Sequence, residues 1–373
     1  MFDDASIYVH FPWCVRKCPY CDFNSHPLKD TDDKSAYCDA LIRDWHAQDA
    51  KSPQSPEFRT VFMGGGTPSL FAPELMQRVL QTLPLSPEAE ITMEANPGTM
   101  EHADFGSYRM AGINRLSIGA QSFDDAQLKK LGRIHSADET VAAVMQARAG
   151  GFDNINLDLM WGLPGQNVDQ AMADLEQALK LTPEHISWYQ LTIEAKTEFA
   201  RRPPLLPVDE TLANIEQHGL TLLAEAGYQR YEVSAFARDD AQCRHNINYW
   251  TFGDYLGIGA GAHGKLSHIQ GSDAAIVRSR KASQPRLYLG NPAQTEYADV
   301  ANSERVVEFM LNALRLVDGV SFATFESRSG LEWSTVAPTW ETLVDQQLVR
   351  SDRCATTARG LRYLDSVVAS FLA

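Results

Sequence analysis

Two apolar rhythms alternate along the first two thirds of this chain. Short runs rich in β-branched and aromatic residues, at 6–11, 60–64, 90–95, 115–120, 154–160, 185–191 and 230–236, predict strands. Between them, 36–47, 73–83, 137–149, 168–181 and 210–226 carry apolar residues at helical spacing, two of them running into Gly150 and Gly227. Such regular alternation predicts parallel strands joined by crossover helices. The fold class is therefore α/β, and a partial (β/α)6-type barrel fits this many units better than a short doubly wound sheet.

The rhythm changes after about residue 270. A polar stretch, Ser279-Arg280-Lys281-Ala282-Ser283, leads into amphipathic helices at 304–316 and 339–347, and 348–351 and 360–364 read as short strands. This order predicts a barrel domain over 1–270 and a smaller α+β, winged-helix-like domain over 271–373. Acidic residues run through the second unit, so it reads as a packing or partner domain rather than a DNA reader. The whole chain has 33 basic against 48 acidic residues, a net charge of −15. That balance excludes a general nucleic-acid surface or adhesion to anionic lipid. The opening Met1-Phe2-Asp3-Asp4 shows no export signal, and no apolar run reaches bilayer length. With unpaired cysteines, these features point to the reducing cytoplasm.

Candidate chemistry begins at Cys14-Val15-Arg16-Lys17-Cys18-Pro19-Tyr20-Cys21, directly after the first strand. The spacing CxxxCxxC puts three thiolates on one loop and supplies no fourth. An iron–sulfur cube held by three cysteines keeps one iron open to a small molecule. Six cysteines in 373 residues are too sparse for a disulfide framework. Zinc held by the three cysteines and His10 or His26 stays open at this point. Cys38, Cys243 and Cys354 are isolated and read as buried thiols. Further polar residues close successive strands: Met63-Gly64-Gly65-Gly66-Thr67-Pro68, Glu94, Gln121 and Asp158. Together with the cysteine loop they predict one pocket at the carboxyl ends of the strands.

This combination resembles the radical S-adenosylmethionine superfamily, in its coproporphyrinogen dehydrogenase-like subgroup. The likeness runs from about Ser6 to His263, with a C-terminal module of the kind found there. It implies a 4Fe–4S cluster on Cys14, Cys18 and Cys21, with S-adenosylmethionine on the open iron. Tyr8 and Tyr20 would flank that cofactor, Gly65, Gly66 and Thr67 would meet its amine, and Glu94 would bind ribose. Gln121, Arg133 and Asp158 match positions that contact the nucleoside or a second cofactor molecule, and Thr192 and His263 fall at weaker aligned positions.

Two departures bear on activity. The dehydrogenase has a further cysteine where this chain has Phe23, and a long extension ahead of the cluster where this chain reaches Cys14 at once. The segment Cys21-Asp22-Phe23-Asn24-Ser25 instead resembles haem chaperones of the superfamily, as does His245-Asn246-Ile247-Asn248-Tyr249-Trp250. On composition alone His245 is a loop histidine beside two core aromatics. The resemblance makes it a haem contact, with Tyr249 and Trp250 offering flat faces to a porphyrin. It further implies delivery of haem to membrane-bound haem proteins such as respiratory enzymes, and dimerisation on cluster assembly. The alternative is an oxygen-independent coproporphyrinogen III dehydrogenase, whose radical chemistry the cofactor would supply.

Overall fold

In the computed structural model, residues 5–50, 57–99, 104–270 and 273–372 are described. The opening Met1-Phe2-Asp3-Asp4, on which the export-signal expectation rests, lies outside them. Six strands, β1 (Ser6–Phe11), β2 (Phe58–Gly65), β3 (Leu85–Ala95), β4 (Arg115–Gln121), β5 (Ile155–Trp161) and β6 (His185–Gln190), lie side by side in chain order, all parallel. The strands alternate: Ile7, Val9 and Phe11 share one face of β1 and are all inaccessible to solvent, while the other face carries Ser6, Tyr8 and His10. Crossover helices α1 (Lys34–Asp49), α2 (Pro73–Leu80), α3 (Ala137–Ala149) and α4 (Val168–Lys180) connect them as expected. Local sequence starts two of these: Ser136 with Glu139, and Asn167 with Gln170, each close a capping box.

The sheet does not close. Helix α5 (Asp209–Glu225) leads to β7 (Gln229–Glu232) and β8 (Ala235–Ala237), which add antiparallel beyond β6. The expected single strand at 230–236 is thus two, because the chain reverses where Ser234 N–H donates to Glu232 Oε1 at 2.9 Å. Helix α6 (Arg244–Trp250) then returns the chain to β9 (Tyr255–Ile258), parallel to β1. Strands β10 (His263–Gln270), β11 (Asp273–Arg280) and β12 (Glu296–Asp299) extend that edge antiparallel, giving a twelve-stranded order β12-β11-β10-β9-β1-β2-β3-β4-β5-β6-β8-β7. The chain therefore passes residue 270 without leaving the sheet. The polar stretch at 279–283 is structural: Lys281 is buried in an ion pair with Asp44 of α1, and Arg280 pairs with Glu296.

The smaller C-terminal unit begins with α7 (Asn302–Ala313). Phe309, Met310, Phe325 and Trp340 form a second core, closed by Tyr231 and Phe252 from the sheet side. The strand expected at 360–364 is instead helical, split between Ala358–Arg362 and Leu364–Ala369. Thr357 caps the first of these, and Gly360 lies so close to Leu348 O that a Cβ would stand 1.7 Å from it. At 348–351 the pairing is reduced to an isolated bridge, Val349 to Thr356.

Candidate functional site

A cavity of about 590 Å³ runs along the inside of the curved sheet. Cys14, Cys18, Cys21, Tyr20, Gly65, Gly66, Thr67, Glu94, Gln121, Arg133, Asp158 and Thr192 all line it. The shared pocket expected from the strand ends is present. Three expected residues lie elsewhere: Tyr8, His245 and His263 are not among the lining side chains. Tyr8 donates to His10 Nδ1 at 3.0 Å and stacks on Phe62, while His263 is exposed on β10.

The cysteine loop is shaped by its backbone rather than its thiols. His26 N–H donates to Pro12 O at 2.7 Å and Leu28 N–H to Cys14 O at 2.9 Å. Asn24 ties the loop to the far end of the chain, donating to Ala260 O and Ser283 O, each at 2.9 Å. The glycine run at 257–261 makes room for this: at Gly261, with φ +76°, a Cβ would lie 2.3 Å from Asn24 Nδ2. Each thiol keeps one weak contact: Cys14 with His26 O, Cys21 with Ser25 Oγ and Cys18 with Arg133, at 3.7, 3.7 and 3.8 Å. Burial pushes the Cys14 thiol up to about 11 and raises that of Cys21. Among the described residues neither histidine of the zinc alternative gathers with the thiols around one ion; His10 Nε2 is bonded to Asn24 O and His26 Nε2 to Asn24 Oδ1.

Next to the loop, Gly65 N–H donates to Glu94 Oε2 at 3.0 Å. Loss of water raises Glu94 to about 7, helped by the nearby charge of Asp158 and opposed by the Gly65 amide. Gln121 sits at φ +66°, unusual for a side chain of this size, where β4 slips in its pairing with β5. Its Oε1 accepts from Tyr189 at 2.8 Å. Arg133 donates to Gly119 O at 2.9 Å. Asp158 accepts from Ser117 and Asn156, both at 2.8 Å, and burial raises its pKa. Asn156 Oδ1 in turn accepts from His185 at 2.6 Å, and His185 Nε2 meets the Tyr231 hydroxyl at 2.9 Å.

Helix α6 divides its motif between two faces. Asn246 and Trp250, four residues apart, line the cavity. His245 and Tyr249 face the interior, where His245 is 1 % exposed. Its Nδ1 lies 2.8 Å from Thr60 Oγ1 and its Nε2 2.9 Å from Tyr249 Oη. Since Thr60 donates to Ser6, the network makes Nδ1 a donor and Nε2 the acceptor from Tyr249. Burial, with Arg115 nearby, lowers His245 to about 3. The imidazole is neutral and fully engaged.

The description of the Radical SAM superfamily matches residues 8–178, and that of the HemN C-terminal domain matches 300–363. Along almost the whole chain the sequence is similar to the protein named heme chaperone HemW of Escherichia coli (strain K12). The two are 45% identical over 374 residues, covering 99% of this chain and 98% of that one. The chain belongs to the HemW family. A relative of the same name from Bacillus subtilis (strain 168) is 32% identical, covering 98% and 99%. Coproporphyrinogen III oxidase (HemN) from Escherichia coli superposes with a TM-score of 0.81 over 100% of this chain and 90% of that one, at 20% identity. That likeness shows a common fold.

Membership of the radical SAM superfamily implies a 4Fe–4S cluster and S-adenosylmethionine. The donor set fits. The three thiols sit on one loop, close enough for their charges to act on one another, and line the cavity with Gly65, Gly66 and Thr67; three thiolates with one position left open are the donors such a cube takes. Among the described residues, no helix is long and apolar enough to cross a membrane. Several lining residues escape the sequence reading: Tyr189, His185, Glu232, Arg115 and Arg315. Arg115 left a signal, a cation opening an otherwise apolar strand. Arg315 left none, since it follows a helix of the other unit.

Proposed function

We propose that this chain is a haem chaperone that also holds a 4Fe–4S cluster and S-adenosylmethionine. The observation that carries the reading is identity to proteins named heme chaperones along the full chain. Cys14, Cys18 and Cys21 would hold the cluster, and Tyr20, Gly65, Gly66, Thr67, Glu94, Gln121, Arg133 and Asp158 would surround the nucleoside-bearing cofactor. When bound, the cluster supplies one-electron chemistry. The chain's own residues orient: Glu94 accepts from ribose hydroxyls, and Tyr189 fixes which way the Gln121 amide points.

Haem would approach the cavity face of α6, where Trp250 offers its ring. Coordination by His245 requires this helix to turn its inner face outward and give up the bonds to Thr60 and Tyr249. Delivery to membrane-bound haem proteins and dimerisation on cluster assembly extend the same reading. Haemin titration of wild type and His245→Ala, followed by Soret absorbance, tests it. Weaker binding by the variant is expected; no binding by wild type overturns haem carriage, and equal curves remove His245 from it. Phe23, 58% exposed on the cavity wall in place of the dehydrogenase's extra cysteine, speaks against porphyrinogen oxidation. Formation of protoporphyrinogen from coproporphyrinogen under anaerobic reducing conditions would reverse that preference.

A further inference from the structure

The cavity has a second end that the cluster and nucleoside residues do not reach. Cysteines and glycines gather at the carboxyl ends of the strands, whereas Arg115 opens β4 at its amino end. Six residue steps separate Arg115 from Gln121, roughly 20 Å of strand. Arg115 shares the cavity wall with His185, Glu232, Asn246, Trp250 and Arg315; its charge acts on His185 and on Tyr231, the residue before Glu232.

This floor has charged donors left over, and the unpartnered buried oxygens beside Arg115, Thr92 Oγ1 and Asn154 Oδ1, carry no charge. Among the described residues, the buried Nε of Arg115, Nε of Arg315 and Nε1 of Trp250 have no hydrogen-bond partner. All three groups only donate. Arg115 is 2 % exposed, and Arg315 stacks on the Trp250 ring with its guanidinium carbon 4.3 Å from the ring centre. The neighbouring carboxylates already hold two or more donors each. Glu232 accepts from Arg315 at 2.9 Å and from Ser234 N–H. Glu90 takes the N–H groups of Arg244 and His245 at the start of α6, at 3.2 and 3.1 Å. Asp158 holds Ser117 and Asn156.

Buried donors without acceptors are rare in folded proteins, and three at one end of one cavity ask for an acceptor from outside. We propose that this floor is a carboxylate-binding subsite formed by Arg115, Arg315 and the Trp250 indole N–H. A carboxylate supplies acceptors on two oxygens and one negative charge, which suits planar guanidinium donors. A doubly charged phosphate would bring further repulsion against Glu232 and Asp158. The carrier of the carboxylate is either a porphyrin propionate or a free small carboxylic acid. Only the first depends on the haem reading.

The test uses the full chain as wild type, Trp250→Phe and Arg315→Gln. Trp250→Phe keeps an aromatic ring and removes one N–H, so it guards against misfolding of the arginine variant. In the first arm, haemin and haemin dimethyl ester are titrated by Soret absorbance. If a propionate docks here, wild type prefers haemin by at least about tenfold, and both variants lose that preference while still binding the ester. In the second arm, acetate and glutarate are tested for a rise in melting temperature. A rise in wild type that is absent in Trp250→Phe supports the subsite with a free acid as ligand, even if haemin does not bind. Failure of haemin alone therefore counts against the chaperone reading and not against this one. The proposal is overturned if neither carboxylate raises the melting temperature and haemin and its ester bind wild type alike, or if both variants keep every wild-type preference.

Discussion

The cysteine loop and helix α6 carry the two sequence motifs that point most directly to function, and the fold treats them in opposite ways. The loop spends its strong hydrogen bonds on backbone and Asn24, leaving three thiols with one weak contact each beside the cavity. The helix spends its motif histidine on the interior, with both ring nitrogens engaged. A loop has no fixed period, so all three cysteines can turn to one side. A helix has one, so residues 245 and 249 go inward when 246 and 250 face the cavity. Spacing tells which chemistry is near; backbone type decides which side chain is available to it.

The sharpest contrast should come from iron. Cys18→Ser is expected to reduce iron after anaerobic reconstitution from about four atoms per chain to nearly none, while His245→Ala leaves the count unchanged. Equal iron in Cys18→Ser would end the cluster assignment. His245→Ala should instead act on stability, lowering it by about 2–4 kcal/mol in urea unfolding, since it opens a cavity and strips partners from Thr60 and Tyr249. A change below 0.5 kcal/mol, roughly the level of an ordinary surface substitution, would mean that the histidine is not locked.

Acid should report the same lock. Burial holds His245 at about 3 against an ordinary 6.5, so the unfolded chain binds the extra proton. Its contribution is fully present above 6.5 and is lost as pH falls toward 3, by about 2 kcal/mol between pH 6.5 and 5. His245→Asn should flatten the stability slope in that window by this amount. Glu94, in the cavity itself, is shifted the opposite way, up to about 7. If its ionised form receives the ribose, S-adenosylmethionine affinity rises about tenfold from pH 6 to 8 by calorimetry, and Glu94→Gln shows no such rise. The smallest effect belongs to Phe23: its exposed ring predicts a loss within about 0.5 kcal/mol for Phe23→Ala.

The six parallel strands and their helices were legible because each strand carries buried apolar residues at alternate positions, as Ile7, Val9 and Phe11 do, and the helices between them keep a helical period. So was the gathering of Cys14, Gly65, Glu94 and Gln121 on one cavity, since each stands in or beside the carboxyl end of a strand or its following loop. Three features were not. The reversal at Ser234 depends on one side-chain bond inside an apolar run. Lys281 and Ser279 look like linker residues until Asp44, 237 positions earlier, is placed beside Lys281. His245 was legible as a motif and not as a packed residue, because Thr60 comes from a strand 185 positions away.

Asn24 gives the molecule a timetable. Its two acceptors, Ala260 and Ser283, lie 236 and 259 residues downstream. At a synthesis rate of 5–20 residues per second, roughly 10–50 s pass between the making of the cysteine loop and the making of its anchors. During that interval the thiols are present on an unanchored segment, exposed to oxidation and to stray metal. If the loop takes the cluster proposed for it, insertion belongs after residue 283 has been made, and a ribosome stalled before residue 260 would carry the three cysteines without the mould that shapes their loop.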